Sequence, residues 1–191
     1  MEKFTDRIEF LKLITSQFLG HKKSLNIIEI GVWKGGLSNQ LVTNFPNCLI
    51  SLIDPWKVSN NFKSAVYSSE RVTQAELDKI HSEIKQRFLE NENVEVFRGE
   101  IKSFYYANQE LKADLIYIDG DHSFIGCYED LVFSDKLTQK GALIVIDDYT
   151  LEGWWEDGVI TAVNCFLGSN SDRYVFQSRF YNQLVLRKLK D

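Results

Sequence analysis

The sequence predicts an α/β fold: a seven-stranded, mostly parallel sheet with helices on both faces and an antiparallel strand from a C-terminal hairpin. Three observations carry this. Short β-branched runs alternate with amphipathic segments along most of the chain, and the runs exit into glycine or carboxylate residues. The last two extended runs are separated only by a short polar turn. With 191 residues, the whole of 1–191 reads as one domain.

The elements follow in order. Phe4, Ile8, Leu11, Ile14 and Phe18 recur at helical spacing, and Gly20 ends that helix. Ile27 to Val32 reads as a strand buried on both faces and therefore central and parallel. Leu37, Leu41 and Phe45 stripe the next helix; Leu49 to Ile53 is a strand ending at Asp54-Pro55; Leu77, Ile80, Ile84 and Phe88 mark a longer helix. Val94 to Arg98 is a strand, followed by a short helical piece around Phe104. Asp114 to Ile118 as strand, Phe124 to Leu137 as helix and Ala142 to Ile146 as strand repeat the pattern. Val159, Val163 and Phe166 face a last helix, and Tyr174 to Gln177 pairs with Gln183 to Leu189 across a turn at 179–182 as the hairpin that closes the sheet. Only Trp56 to Ser69 resists the alternation. This polar stretch, with Asn60-Asn61 and Ser68-Ser69, follows a strand's carboxyl end and reads as a lid loop.

Composition narrows the function. Hydrophobic residues at 44% and 22 basic against 27 acidic side chains exclude a disordered chain, and no apolar run reaches membrane-spanning length. The net charge of −5 argues against broad binding to nucleic acid and favours small-molecule partners. Cys48, Cys127 and Cys165 are odd in number and widely spaced, which suggests neither a disulfide framework nor zinc ligation. With no secretory h-region after Met1, a cytoplasmic location is expected.

Ligands of open α/β sheets bind beyond the carboxyl ends of the strands, so the exit residues are the candidates. Here these are Glu29-Ile30-Gly31-Val32-Trp33-Lys34-Gly35-Gly36, Asp54, Gly99-Glu100, Asp119-Gly120-Asp121-His122 and Asp147-Asp148. Bulky Trp33 stands where a dinucleotide fingerprint needs its second glycine, which disfavours NAD or FAD. Asp54 is placed to accept the two hydroxyls of a ribose. Asp119, Asp147 and Asp148, on strands expected to be neighbours, would repel one another without a cation, and all-oxygen donors suit Mg²⁺, Mn²⁺ or Ca²⁺. Set against this, Gly31 and Gly35 also suit a plain tight turn, and Asp121 or Asp148 could cap the next helix. His122 lies beside the proposed cation and titrates near neutral pH. His81 reads as solvated, His21 as a loop residue, and Trp154 with Trp155 either wall a substrate pocket or cover the core.

Together the first-strand turn, Ile53-Asp54-Pro55-Trp56, Tyr117-Ile118-Asp119-Gly120-Asp121-His122-Ser123 and Ile146-Asp147-Asp148-Tyr149 resemble class I S-adenosylmethionine-dependent methyltransferases. More narrowly the chain resembles the metal-dependent O-methyltransferase branch that includes macrocin and other antibiotic-sugar methyltransferases. The resemblance implies a Rossmann-like fold that binds S-adenosylmethionine. Glu29, Gly31, Trp33 and Gly35 would meet its methionine side, Asp54 its ribose, Glu100 the region near adenine, and Asp119 the cofactor as well as the metal. Asp119, Asp147 and Asp148 match the metal carboxylates, for Mg²⁺ or another divalent cation. His122 stands where catechol O-methyltransferases place a lysine base, and Asp121 is the competing base. The implied reaction is O-methylation of a small-molecule or sugar hydroxyl, a vicinal diol first, by a possible homo-oligomer with no nucleic-acid or membrane partner. Two alternatives are a non-catalytic S-adenosylmethionine-binding protein and a metal-dependent hydrolase.

Overall fold

The computed structural model describes residues 2–59, 65 and 67–191, with residues 2–6 as backbone. The Phe4 side chain and Asn60-Asn61 of the expected lid lie outside the described residues. Strand and helix alternate as β1 (Asn26–Ile30), α2 (Gly36–Asn44), β2 (Leu49–Asp54), α3 (Gln74–Arg87), β3 (Val94–Arg98), α4 (Ile101–Ala107), β4 (Ala113–Ile118), α5 (Phe124–Leu137), β5 (Thr138–Ile146) and α6 (Gly158–Ser169). The helix α1 (Glu2–Leu19) precedes them, and the hairpin β6 (Tyr174–Phe180) and β7 (Gln183–Lys188) follows.

All seven strands form one sheet in the order β3-β2-β1-β4-β5-β7-β6. Strands β1 to β5 pair in parallel, while β7 is antiparallel to both β5 and β6. The one antiparallel strand of the expected hairpin is β7, which lies one strand in from the edge formed by β6.

Alternation along each strand sends side chains to two cores. Ile27, Ile50, Leu52, Leu115 and Val145 pack under Ile8, Leu11 and Ile14 of α1, Leu37 and Leu41 of α2, and Leu77 and Ile84 of α3. Ile28, Ile30, Ile116, Ile118, Ile144 and Ile146 pack on the opposite face under Phe104, Leu131, Val159, Val163 and Phe166. The central strand β4 is buried at every position, whereas the edge strand β3 is buried at none.

The sheet reverses its winding between β1 and β4, and there the ladder runs on past the strand ends. The amide of Gly31 donates to the Ile53 carbonyl, that of Asp119 to Ile30 and that of Asp147 to Ile118, all at 2.8–2.9 Å. Three exit residues are thereby aligned side by side at the switch point, where ligands of such sheets sit.

Candidate active site

The first turn is shaped by backbone that only particular residues adopt. Gly31 has φ +89°, and a Cβ there would stand 1.9 Å from the Asp119 carbonyl oxygen, so the exits of β1 and β4 touch through this glycine. Gly35 has φ +73° and precedes α2. Trp33 is itself left-handed at φ 51°, a costly conformation for a bulky residue. Its amide donates to Asp54 Oδ2 at 2.9 Å.

Asp54 is enclosed and already engaged. Oδ1 accepts the Trp56 amide at 2.7 Å, and Oδ2 accepts the Tyr67 hydroxyl at 2.6 Å besides the Trp33 amide. Burial raises its pKa, and these hydrogen bonds hold the rise back. Tyr67 also packs on Trp33, with ring centroids 5.1 Å apart. Trp56 at the start of the 56–69 segment is fully buried, with its indole N–H donating to the Trp33 carbonyl at 3.0 Å and its ring 4.8 Å from His81. His81, expected to be solvated, is a half-buried packing partner, and burial lowers its pKa.

Glu29 lies beneath the turn. It is 2% exposed and accepts the Ser38 hydroxyl at 2.6 Å. Burial pushes its carboxyl up to about 8, against the Ser38 bond, with Asp119 and Asp54 adding repulsion. Glu100 is exposed at the start of α4.

The carboxylates of β4 and β5 gather as expected, but not as three equivalent groups. Asp119, His122 and Asp148 each direct one donor atom into a group whose atoms all lie within 4.8 Å of one another. The His122 Nε2 faces Asp119 Oδ1 at 3.3 Å and Asp148 Oδ2 at 3.4 Å. This nitrogen is enclosed and too poorly aligned for a hydrogen bond. Burial works against its charge, yet Asp119, Asp148 and Asp147 outweigh burial and raise its pKa. Asp148 reaches the group through a left-handed backbone, φ 52°, and its Oδ1 accepts from the Asn182 side-chain Nδ2 at 2.6 Å.

Asp147 turns the other way. Its enclosed Oδ2 pairs with Arg7 of α1 at 2.8 Å, and the same guanidinium nitrogen lies 3.5 Å from Asp119 Oδ2. Burial and Asp119 raise the Asp147 pKa, and Arg7 opposes them. Asp121 points away from the group. Its Oδ1 accepts the Ser123 amide at 2.9 Å, and it rests against Gly126 in the first turn of α5.

Trp154 and Trp155 both pack against His122. The Trp155 ring lies 4.7 Å from His122 at an interplanar angle of 33°, and Trp154 meets His122 edge-on at 6.1 Å. Trp155 also packs on the second core, so it covers the core and touches His122 at once. A surface cleft of about 480 Å³ lies on the far side of the first turn, lined by Trp33, Lys34, Arg71, Lys79 and Ile80 among others, and none of the clustered carboxylates borders it.

Sequence reasoning missed Arg7 and Asn182. Arg7 is a polar residue on an amphipathic helix, and Asn182 was read only as part of a turn. Neither type nor spacing marks them; only the tertiary fold brings them to the β5 exit.

The strand order and the acidic switch point define the class I methyltransferase fold. A family model described as a methyltransferase domain matches residues 28–149, and the chain belongs to that family. Solved structures share the fold at low identity. CalS11, a calicheamicin methyltransferase, superposes with TM-score 0.65 at 16% identity, covering 96% of this chain and 79% of that one. The O-methyltransferase NovP gives 0.68 at 14%, over 96% and 80%. MycE from the mycinamycin biosynthetic pathway, solved in complex with Mg and SAH, gives 0.60 at 15%, over 98% of this chain and 54% of that one. No curated protein sequence matches the chain. Among the described residues no helix is long and apolar enough to cross a membrane.

Proposed function

We propose that this chain transfers the methyl group of S-adenosylmethionine to a hydroxyl oxygen of a small molecule, with a sugar or other vicinal diol as the first acceptor class. The observation that carries the reading is the joining of two half-sites through Gly31: a turn with Glu29 and Asp54 on one side, and the Asp119–His122–Asp148 group on the other. CalS11, NovP and MycE, which are methyltransferases, support it in fold.

In this reading the turn from Gly31 to Gly35 receives the methionine portion, and Asp54 exchanges the Tyr67 hydroxyl for ribose hydroxyls. Glu29 supplies the carboxylate that balances the ligand's positive charge. The acceptor oxygen attacks the sulfonium methyl carbon; the O–C bond forms as the C–S bond breaks, and the sulfonium becomes a neutral thioether. The hydroxyl proton passes to His122, the basic side chain at the opening, with Trp155 holding its ring. Asp121 is the less suited base because its carboxylate is committed to the start of α5. Positioning two bound reactants supplies about 7 to 11 kcal/mol of barrier reduction in favourable cases.

The donor set also fits a divalent cation. Asp119 Oδ1 and Asp148 Oδ2 converge within 4.8 Å beside His122, and Arg7 offsets only one of the three negative charges. Asp119 and Asp148 would hold the ion, which when bound acidifies a hydroxyl and orients it. The test is calorimetry with S-adenosylhomocysteine together with turnover before and after dialysis against a chelator. Binding of S-adenosylhomocysteine, with a rate that falls on dialysis and returns with Mg²⁺ or Mn²⁺, supports the reading. Full rate with metal measured as absent removes the cation, and no ligand binding removes the transferase.

A further inference from the structure

We propose that Arg7 is a positioning residue that withdraws Asp147 from cation binding, so that Asp119 and Asp148 alone among the three edge carboxylates hold the ion. The inference rests on the reading above for the cation's place and goes beyond it in giving α1 a part in the site.

Both oxygens of Asp147 have a near neighbour, Oδ2 through an ion pair without an aligned hydrogen bond. Oδ1 accepts the Asp148 amide at 2.9 Å, and Oδ2 lies 2.8 Å from Arg7. The Asp147 side chain has no exposed surface, so water cannot replace the guanidinium. Arg7 comes from a helix whose Ile8, Leu11 and Ile14 are in the first core, which anchors its backbone there. The Tyr117 hydroxyl, against which Gln183 is hydrogen-bonded at 2.9 Å, belongs to the same enclosed corner.

Of the other two carboxylates, Asp119 meets the arginine through one oxygen only, and Asp148 gathers with Asp119 and His122. Asp119 divides its oxygens, Oδ2 toward Arg7 and Oδ1 toward His122. The left-handed backbone of Asp148 and its Asn182 contact turn Oδ2 to the same side as Asp119 Oδ1. A cation on Asp147 Oδ2 would share that oxygen with the guanidinium and repel it at close range. A cation on Asp119 Oδ1 and Asp148 Oδ2 shares neither oxygen with the guanidinium and has His122 Nε2 beside it, and with Arg7 it offsets the charge of the three carboxylates. Arg7 thus acts as a resident monovalent cation beside a divalent site.

Calorimetric titration of the full chain with manganese chloride tests this, with S-adenosylhomocysteine titrated in parallel. The double variant Arg7→Met/Asp147→Asn removes both partners and leaves no buried charge unpaired. Its Mn²⁺ affinity is expected within about threefold of wild type, while Arg7→Met alone, which frees a third carboxylate, should bind about tenfold tighter or more. A loss of about tenfold or more in the double variant makes Asp147 a ligand and overturns the proposal; so does a wild-type chain that binds no Mn²⁺. If Arg7→Met does not fold, the double variant decides. S-adenosylhomocysteine binding without Mn²⁺ binding sinks this proposal and leaves methyl transfer standing; the expected Mn²⁺ pattern without S-adenosylhomocysteine binding does the reverse.

Discussion

Replacing Glu29 by Gln isolates the least expected group of the site. The carboxyl is enclosed, its pKa is pushed up to about 8 from 4.5 chiefly by burial, and its one hydrogen bond, from Ser38, can be kept by the glutamine carbonyl. Below 4.5 the residue is protonated in both folded and unfolded chains and contributes no pH dependence. Between 4.5 and about 8 the unfolded chain ionises while the folded one keeps its proton, so wild-type stability falls as pH rises. Above about 8 the loss levels off. The gap between the two pKa values, at about 1.36 kcal/mol per pH unit, puts the ceiling near 5 kcal/mol. Glu29→Gln should match wild type at the acid end of this window and exceed it progressively toward the alkaline end. Denaturant unfolding of both proteins across the window reads the difference, in which other titrating groups largely cancel. Parallel curves would refute the buried, protonated Glu29. The same proton links stability to binding, since a cationic ligand over Glu29 favours the ionised form. Binding of S-adenosylhomocysteine near neutral pH should therefore release a proton in wild type and none in Glu29→Gln, measured by calorimetry in buffers of different ionisation enthalpy.

Asp54→Asn should weaken S-adenosylhomocysteine roughly tenfold or more through loss of charge-assisted hydrogen bonds, and unchanged calorimetric affinity in the folded variant would remove Asp54 from the ribose site. His122→Ala should lower turnover by about 10² to 10⁴ while leaving cofactor-analogue affinity in place; a rate within a few-fold of wild type would take the proton from another residue. Gly31→Ala forces both a left-handed alanine and a Cβ 1.9 Å from the Asp119 carbonyl oxygen. The backbone conformation alone costs about 1 to 3 kcal/mol, so a melting temperature equal to wild type would contradict the close approach of the β1 and β4 exits.

Period and punctuation in the chain were enough for most of the fold. The β-branched run at β1 and the stripe of α5 carry their own signals, and β7 was recognisable as half of a hairpin. Its place inside the edge was not, because pairing of β7 with β5 is a non-local choice that no local pattern encodes. At the site, residue type at strand exits marked Glu29, Asp54, Asp119, Asp147, Asp148 and His122. What each side chain does there depends on neighbours far away in sequence: Arg7 takes Asp147, Asn182 holds Asp148, and Tyr67 occupies Asp54. Asp121 sits in the same motif as His122, yet the N-terminal turn of α5 claims it.

The most direct test of the account is transfer of a carbon-13-labelled methyl group from S-adenosylmethionine to pooled sugars and polyphenols, followed by NMR of the methyl carbon. The account predicts a new methoxy resonance that appears with the wild-type chain and is lost with His122→Ala. A chain that binds S-adenosylhomocysteine yet labels no acceptor would contradict catalysis, and label found on nitrogen or carbon would contradict the oxygen acceptor.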